Sequence, residues 1–386
     1  MNKLFRISTV PVSLNILLKG QLKYLARFYN ITAVSGGGKY LEEISSREGV
    51  RTKAIEFQRQ ISPFQDLKSL WKLFQFFRQE KPVIIHSITP KAGLLSMAAG
   101  WLAGVPVRMH TFTGLVFPSR TGFMHWLLKN MDRLTCAFAT KIIPEGEGVK
   151  RDLIRYKVTS KPLMVIGHGN VNGIDPEYFS PAGVEGSRVE EIRKKWELTP
   201  DDFVFVFVGR LVKDKGINEL VAAFTDMHQK HTHTRLLLVG NFEPELDPVS
   251  PATHQLIDSH PCILYAGFQE DVRPYLAVSH ALVFPSYREG FPNVPKQAGA
   301  MGLPSIVTDI NGCNEIITDG LNGLVIPPKD ASAVHHAMER LVSDTGLYNH
   351  LKSNARESIV SRYDQQTLWK LIKEEYDDQL KKAGLL

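Results

Sequence analysis

The run Ala281-Leu-Val-Phe-Pro285, followed by Tyr287–Pro304 with the sequence YREGFPNVPKQAGAMGLP, decides how the rest of this chain is read. The apolar run has the look of a buried parallel strand, and the small residues that close the stretch read as a helix. Between them stand one acid, Glu289, then Gly290, two prolines and Asn293. Asn293 is the expected N-cap, and Pro295 falls in the first turn, where its missing N–H is tolerated. A strand that hands an acid and a glycine turn to a helix start suits an anionic ligand. The first N–H groups of the helix point at it, and the helix dipole favours negative charge there. The acid lies just outside the turn, free to accept from hydroxyls on the same ligand. Phosphates and hydroxyls together describe a sugar nucleotide.

Outward from this stretch, short apolar runs alternate with helical patterns, which predicts βαβ units and parallel sheets. In the first half the expected strands are Leu4–Val10, Ile31–Ser35, Thr52–Phe57, Val83–Ile88, Val105–Thr111, Lys141–Pro144 and Leu163–Ile166. In the second they are Phe203–Val208, Arg235–Val239, Cys262–Ala266, Ala281–Phe284, Ser305–Thr308 and Leu324–Ile326. Asp66–Gln79 is a helix by the spacing of Leu67, Leu70, Trp71, Phe74 and Phe77. Each series is long enough for its own doubly wound domain. The expected division is a first domain over 1–168, a linker over 169–185 rich in glycine, asparagine and proline, and a second domain over 186–362.

The same stretch carries a family resemblance. Glu289-Gly-Phe-Pro-Asn293 is similar to the opening of the Glu-x7-Glu signature of retaining glycosyltransferases of family 4, which have the GT-B fold. Gly302-Leu-Pro304, Asp309, Gly312-Cys-Asn-Glu315 and Gly320-Leu-Asn-Gly323 follow in that family's order. Upstream, Gly209-Arg210-Leu211 with Lys215-Gly216 resembles its GR-L-x3-KG element, and Gly173-Ile174-Asp175 its interdomain element. The resemblance covers nearly the whole chain. It departs at position 297, where the signature's second acid is Gln297. The fold it implies is two facing Rossmann-like domains with the active site in the cleft between them. A C-terminal helix over 363–386 is expected to pack back on the first domain.

Arg210 and Lys215 follow a strand across a short loop, where Gly209 permits a tight turn and the two cations can converge on one diphosphate. A guanidinium grips oxygens two at a time and an ammonium acts as a point charge. Negative charge builds on a departing nucleotide diphosphate, so fixed cations there lower the barrier. The competing reading is two loop cations paired with Asp214 or Glu219. Glu289 is open to three roles from the residues alone: base, nucleophile or sugar anchor. The resemblance implies the anchor, with attack from the front face and the leaving phosphate helping to take the acceptor proton.

Gly290, Phe291, Asn293, Val294 and Gln297, together with Gly209, are the nucleotide-binding positions that the resemblance implies. An acid at 297 would bind the ribose hydroxyls, whereas Gln297 offers one acceptor and one donor without charge, or is a surface glutamine. In the first half, His86-Ser-Ile-Thr-Pro-Lys91 and His110-Thr-Phe-Thr-Gly114 end strands. His110 resembles the family histidine that approaches the reacting sugar, and Thr89, Lys91 and Thr113 are acceptor-side candidates. All of these can equally be strand-end polar groups satisfied within the fold. Ser35-Gly-Gly-Gly38 is a turn, because it lacks the spacing of a dinucleotide fingerprint. With no Asp-x-Asp element, and with His228, His231 and His233 merely flanking a helix end, neither a metal nor another cofactor is expected.

Composition bounds these readings. At 386 residues, 43% apolar and 22% charged, the chain suits two soluble domains. No apolar run reaches the ~20 residues that span a bilayer, and Pro11, Ser13 and Asn15 interrupt the one stretch near the start that resembles a signal peptide. Three cysteines, odd in number and far apart, suggest a reducing compartment. Residues 1–168 carry 25 Lys and Arg against 10 Asp and Glu, and the remainder 21 against 30. A basic half points to an anionic partner or to a solvated face. Nucleic-acid motifs are missing, which leaves an anionic membrane surface, at ~1 kcal/mol per basic residue near it. Arg120–Arg133, with Phe123, Trp126, Leu127 and Leu128 among its cations, is an interfacial helix or a core one.

The expected activity is a cytoplasmic enzyme, peripheral at the inner face of the membrane. It would move a hexose or N-acetylhexosamine from a nucleotide diphosphate, uridine first, to a polyprenyl-diphosphate-linked saccharide in surface polysaccharide assembly. A catalytically silent sugar-nucleotide binder and a nucleotide-sugar epimerase of the same fold are the alternatives.

Overall fold

Strand β7 (Phe203–Val208) reads Phe-Val-Phe-Val-Phe-Val, and Val204 to Val208 are all buried, as a parallel strand covered on both faces requires. It lies inside a sheet of six parallel strands with β8 (Thr234–Val239), β9 (Ile263–Gly267), β10 (Ala281–Phe284), β11 (Ser305–Thr308) and β12 (Gly323–Ile326). A second parallel sheet holds β1 (Lys3–Ile7), β2 (Asn30–Ser35), β3 (Arg51–Ala54), β4 (Ile84–Ser87), β5 (Val107–Phe112) and β6 (Lys141–Pro144). The computed structural model describes residues 1–386 except Arg59, Gln60, Pro244 and Leu246.

The orders are β3-β2-β1-β4-β5-β6 and β12-β11-β10-β7-β8-β9. Counted from the first strand of each, both run 3-2-1-4-5-6, the doubly wound Rossmann order, in which the winding reverses between the first and fourth strands. The chain forms two compact units, Met1–Gly173 with Gln365–Leu386, and Ile174–Asp364.

In the first unit, side chains alternate between two cores, one on each sheet face. Leu4, Ile31, Ile84 and Met109 meet Leu368, Ile372, Tyr376 and Leu380 of the Gln365–Lys382 helix. Phe5, Val34, Ile85 and Phe112 meet Leu73, Phe76 and Phe77 of the Pro63–Glu80 helix and Ala92 of the Pro90–Leu102 helix. The helix expected over 66–79 is present, but its apolar set divides. Of the five residues that the spacing singled out only Phe77 is buried and Leu67 and Trp71 are exposed, while Leu73 and Phe76, outside that set, join Phe77 in the core.

Three expected strands differ, and the one over Thr52–Phe57 is β3, which already ends at Ala54. β1 stops at Ile7 because the Ser8 hydroxyl turns back to the Val10 carbonyl and Pro11 opens a helix. Leu163–Ile166 makes only a single bridge, Leu163 to Ile142. Pro162 just before it has no N–H to donate to the sheet edge.

In the second unit the helix Asn293–Ala300 packs against Thr345–Tyr363 with no room for a side chain between them. A Cβ on Gly299 would stand 2.4 Å from Ile359 Cγ1.

Candidate active site

β7 and β10 are neighbours at the reversal of the second sheet, so the loops that leave them border one crevice. The loop after β7 holds Gly209, Arg210 and a 3-10 turn, Lys213–Lys215, before Gly216 starts the Ile217–His228 helix. Gly216 sits at φ +72°, and a Cβ there would lie 2.1 Å from the Pro285 carbonyl oxygen at the end of β10. Gly209 has φ +148°, and its own carbonyl oxygen would be 1.8 Å from a Cβ on Gly240 at the end of β8. Backbone therefore touches backbone at both places, which only glycine allows.

The close approach brings Lys215 to Glu289, 74 residues further on, where the ammonium donates to Oε1 of the carboxylate. Both side chains are largely enclosed, at 16% and 15% exposed, and Phe284 of β10 lies 5.7 Å from the ammonium. Arg210 donates to Glu243 Oε2 at 2.7 Å and is half exposed. Tyr287 donates to Glu219 Oε1 at 2.6 Å, and burial together with that carboxylate pushes the phenol pKa up. Asp214 lies 3.6 Å from Arg288. The two cations thus do not use Asp214 or Glu219. Their partners are Glu243 and Glu289, neither legible from spacing.

The turn after Glu289 is pressed by a further loop. Gly312, at φ +75°, would put a Cβ 2.5 Å from the Gly290 carbonyl oxygen. The helix begins one residue earlier than expected: Pro292 is the N-cap and Asn293 the first helical residue, with no side-chain cap. A proline at the N-cap is extended and has no side-chain acceptor, so the first-turn N–H groups are not claimed from within the cap. Phe291 is a correction to the nucleotide-binding set. Its ring is buried, 5.7 Å from the Tyr363 ring, leaving only its backbone to a ligand. Val294 also packs on the core from a half-buried position, and Gln297 is half-buried one turn into the helix. Lys296, unremarked in the sequence, is fully buried with its ammonium over the Phe291 and Tyr363 rings.

The first unit's candidates are held differently. His110 lies inside β5 rather than at its end, at 1% exposure. Its Nδ1 is 2.8 Å from Ser87 Oγ, and a Cβ on Gly93 would come within 2.4 Å of the ring. This corrects the expectation that the ring reaches a sugar: it is enclosed by its own unit, and burial drives its pKa down to about 3. Thr89 Oγ1 accepts from the Thr9 N–H at 2.8 Å, Lys91 donates to both Asp66 oxygens at 2.8 and 2.9 Å, and Thr113 donates to the Ile88 carbonyl at 3.3 Å.

His86 belongs to a buried chain. Arg6 donates to the Tyr376 hydroxyl, which is 2.7 Å from His86 Nδ1, and Nε2 is 2.8 Å from Thr111 Oγ1. Arginine only donates, so the phenol proton goes to Nδ1 and the imidazole keeps its own proton on Nε2. Burial and then Arg6 hold that ring neutral.

Residues 188–358 match the family described as "Glycosyl transferases group 1", and residues 21–169 match the "Glycosyl transferase 4-like domain". The capsular polysaccharide biosynthesis glycosyltransferase CapM of Staphylococcus aureus is 31% identical over 383 residues, covering 99% of this chain and 98% of CapM. An Escherichia coli UDP-Gal:alpha-D-GlcNAc-diphosphoundecaprenol alpha-1,3-galactosyltransferase is 29% identical over 325 residues, covering 83% and 82%. Among solved structures, Anabaena HepE in complex with UDP superposes with a TM-score of 0.81 at 18% identity, covering 98% of this chain and 100% of HepE.

Proposed function

From the premise that the chain belongs to the family-4 glycosyltransferases of GT-B fold, which retain anomeric configuration, we propose that it moves a hexose or N-acetylhexosamine from a uridine diphosphate sugar to a polyprenyl-diphosphate-linked saccharide during surface polysaccharide assembly. The relatives' names support this donor and acceptor. The galactosyltransferase names UDP-galactose and a diphosphoundecaprenol saccharide, and a Campylobacter jejuni relative at 25% identity also names a diphospho-undecaprenol acceptor.

The observation that carries the reading is the Lys215–Glu289 pair at the reversal of the second sheet. An enclosed ammonium beside the start of a helix is arranged for a diphosphate, and the acid beside it for the hydroxyls of the attached sugar. As the glycosidic bond breaks, charge moves onto the leaving phosphate, and Lys215 strengthens its hold there. Arg210 is half exposed and turns from Glu243 to the diphosphate as a second clamp. Glu289 orients the sugar. The leaving phosphate oxygen takes the acceptor's proton, so no strong base is needed, and the two cations replace a metal. Gly209, Gly290, Asn293, Val294 and Gln297 hold the nucleotide. Thr89, Lys91 and Thr113 form the acceptor side, and His110 is a positioning residue that fixes β5 against Ser87.

Membrane docking is part of the same proposal. The Gly122–Phe138 helix exposes Phe123, Met124, Trp126 and Leu134 near Arg120, Lys129 and Arg133, and buries only Thr135 and Cys136. That pattern favours the interfacial reading over the core one. Among the described residues no helix is long and apolar enough to cross a membrane. Binding to acidic vesicles that weakens as salt rises is expected, and equal binding to neutral vesicles defeats this part.

Purified protein incubated with nucleotide sugars, with and without lipid-linked acceptor, tests the whole. Turnover only with acceptor, unchanged by chelator, is expected. Turnover without acceptor indicates an epimerase, and binding without turnover indicates the silent protein that Gln297 keeps in play.

A further inference from the structure

Away from these loops, the second unit gathers imidazoles and a carboxylate where the Ile217–His228 helix ends against the Ala331–Ser343 helix. On one helix, Glu339 lies a turn beyond both His335 and His336, at spacings of four and three residues. Their donor atoms all stand within 4.8 Å of one another. Glu339 Oε2 is 3.5 Å from His335 Nε2 and 3.9 Å from His336 Nδ1, while Oε1 is 3.6 Å from His231 Nε2. These gaps exceed the ~2.7–3.2 Å of a hydrogen bond. Donors ~2.0–2.1 Å from a tetrahedral ion stand ~3.4 Å apart, close to the separations of Glu339 Oε2 from His335 and His336.

We propose that His335, His336 and Glu339 form a binding site for one divalent transition-metal ion of the zinc type, with solvent completing its shell. Two imidazole nitrogens and one carboxylate suit a borderline ion rather than calcium or magnesium, which take oxygen ligands. Asp226 stands behind the site, its Oδ2 3.0 Å from His335 Nδ1. The contact is not aligned as a hydrogen bond, yet the charge favours a proton on Nδ1 and so leaves Nε2 as the donor to the ion. Lys230 Nζ lies 3.6 Å from Glu339 Oε1 on a side chain 70% exposed. It holds the place of a cation and can swing into solvent when one arrives.

His335, His336 and Glu339 share one helix, and Asp226 behind them comes from another helix about 110 residues earlier. The nearer group is not the cluster: His228 is bound to Thr234 Oγ1 and stacked on Phe224. The role is structural, at the packing of the Ile217–His228 helix on the Ala331–Ser343 helix, rather than touching a substrate.

Calorimetry of the chelator-stripped full chain with zinc chloride tests it, together with the visible spectrum after cobalt(II) loading. One ion per chain, a tetrahedral cobalt spectrum and a higher melting temperature are expected, with no response to calcium. Glu339→Gln and His336→Ala, both near the surface, each weaken zinc by at least 10-fold, and Lys230→Gln tightens it severalfold. Absence of one-to-one binding, or wild-type affinity in both Glu339→Gln and His336→Ala, overturns the proposal. Chelation should lower the melting temperature and leave turnover intact, so failure here is separable from failure of the transferase mechanism.

Discussion

In the first sheet, the crevice where the winding reverses, between β1 and β4, is bordered mostly by neutral groups, with Lys91 beside them held by Asp66. Thr9 and Thr89 hydroxyls stand 2.8 Å apart, Ala92 N–H reaches Thr9 Oγ1 at 3.2 Å, and Ser87 meets an uncharged His110. In the second sheet the equivalent crevice, between β7 and β10, is lined by Lys215, Glu289, Arg210 and Glu243, all charged and all within reach of solvent. Strand order is the same in both. Topology supplies a crevice twice over, and residue type decides which of the two can receive an anion.

Removing a charge from the second crevice breaks the contrast most severely. Arg210→Ala and Lys215→Ala should each lower turnover by ~100-fold or more, the loss expected for one preorganised electrostatic donor. Steady-state rates with saturating acceptor, checked against melting temperature, measure this. Glu289→Gln should reduce turnover far more than nucleotide affinity, since it touches the sugar. A wild-type rate in Lys215→Ala would remove Lys215 from the diphosphate site.

The first crevice answers to acid instead. His110 has a folded pKa of about 3 against an ordinary value near 6.5, so the unfolded chain takes up the proton first. Stability is therefore full above pH ~6.5 and falls as the pH drops toward about 3, by ~2 kcal/mol at pH 5 for this one ring. His86, lowered by burial and then by Arg6, adds in the same direction. Hydrogen exchange read separately for 1–173 and 174–364 should show this loss in the first unit, and His110→Gln should flatten it. His280, held near 4 by burial, sets the smaller response of the second unit.

The finest distinction is at Gln297. A carboxylate there could accept from two hydroxyls, and charged hydrogen bonds are worth ~1.5–3 kcal/mol against ~0.5–1.5 for neutral ones. Gln297→Glu should tighten nucleotide by about 1 kcal/mol, roughly fivefold, by calorimetry. Unchanged affinity in both Gln297→Glu and Gln297→Ala would remove position 297 from the nucleotide site.

Most strands were legible because a strand covered on both faces is written as an uninterrupted apolar run. Lys141–Pro144, Phe203–Val208, Ala281–Phe284 and Ser305–Thr308 have the bounds that the runs predict. Leu163–Ile166 misled because an apolar run says nothing about whether the backbone beside it is free to pair. The site was legible as a set of charges and glycines but not as pairs. Lys215 and Glu289 meet only because Gly216 lets one loop rest on the end of β10, a contact 74 residues long in sequence. Arg6 and Tyr376, 370 residues apart, were beyond any local pattern.

The Gln365–Lys382 helix closes one face of the first sheet, and it is synthesised after the whole of the second unit. A ribosome therefore releases Leu4, Ile31, Ile84 and Met109 covered only in part, by Leu14, Leu22 and Ile44 of the early helices, while Ile174–Asp364 already has every strand of its own sheet. Domains fold as units during synthesis. The half that emerges first is thus the half that matures last, its Arg6 and His86 waiting for Tyr376. In the interval its half-covered sheet face is open to aggregation until the last helix arrives.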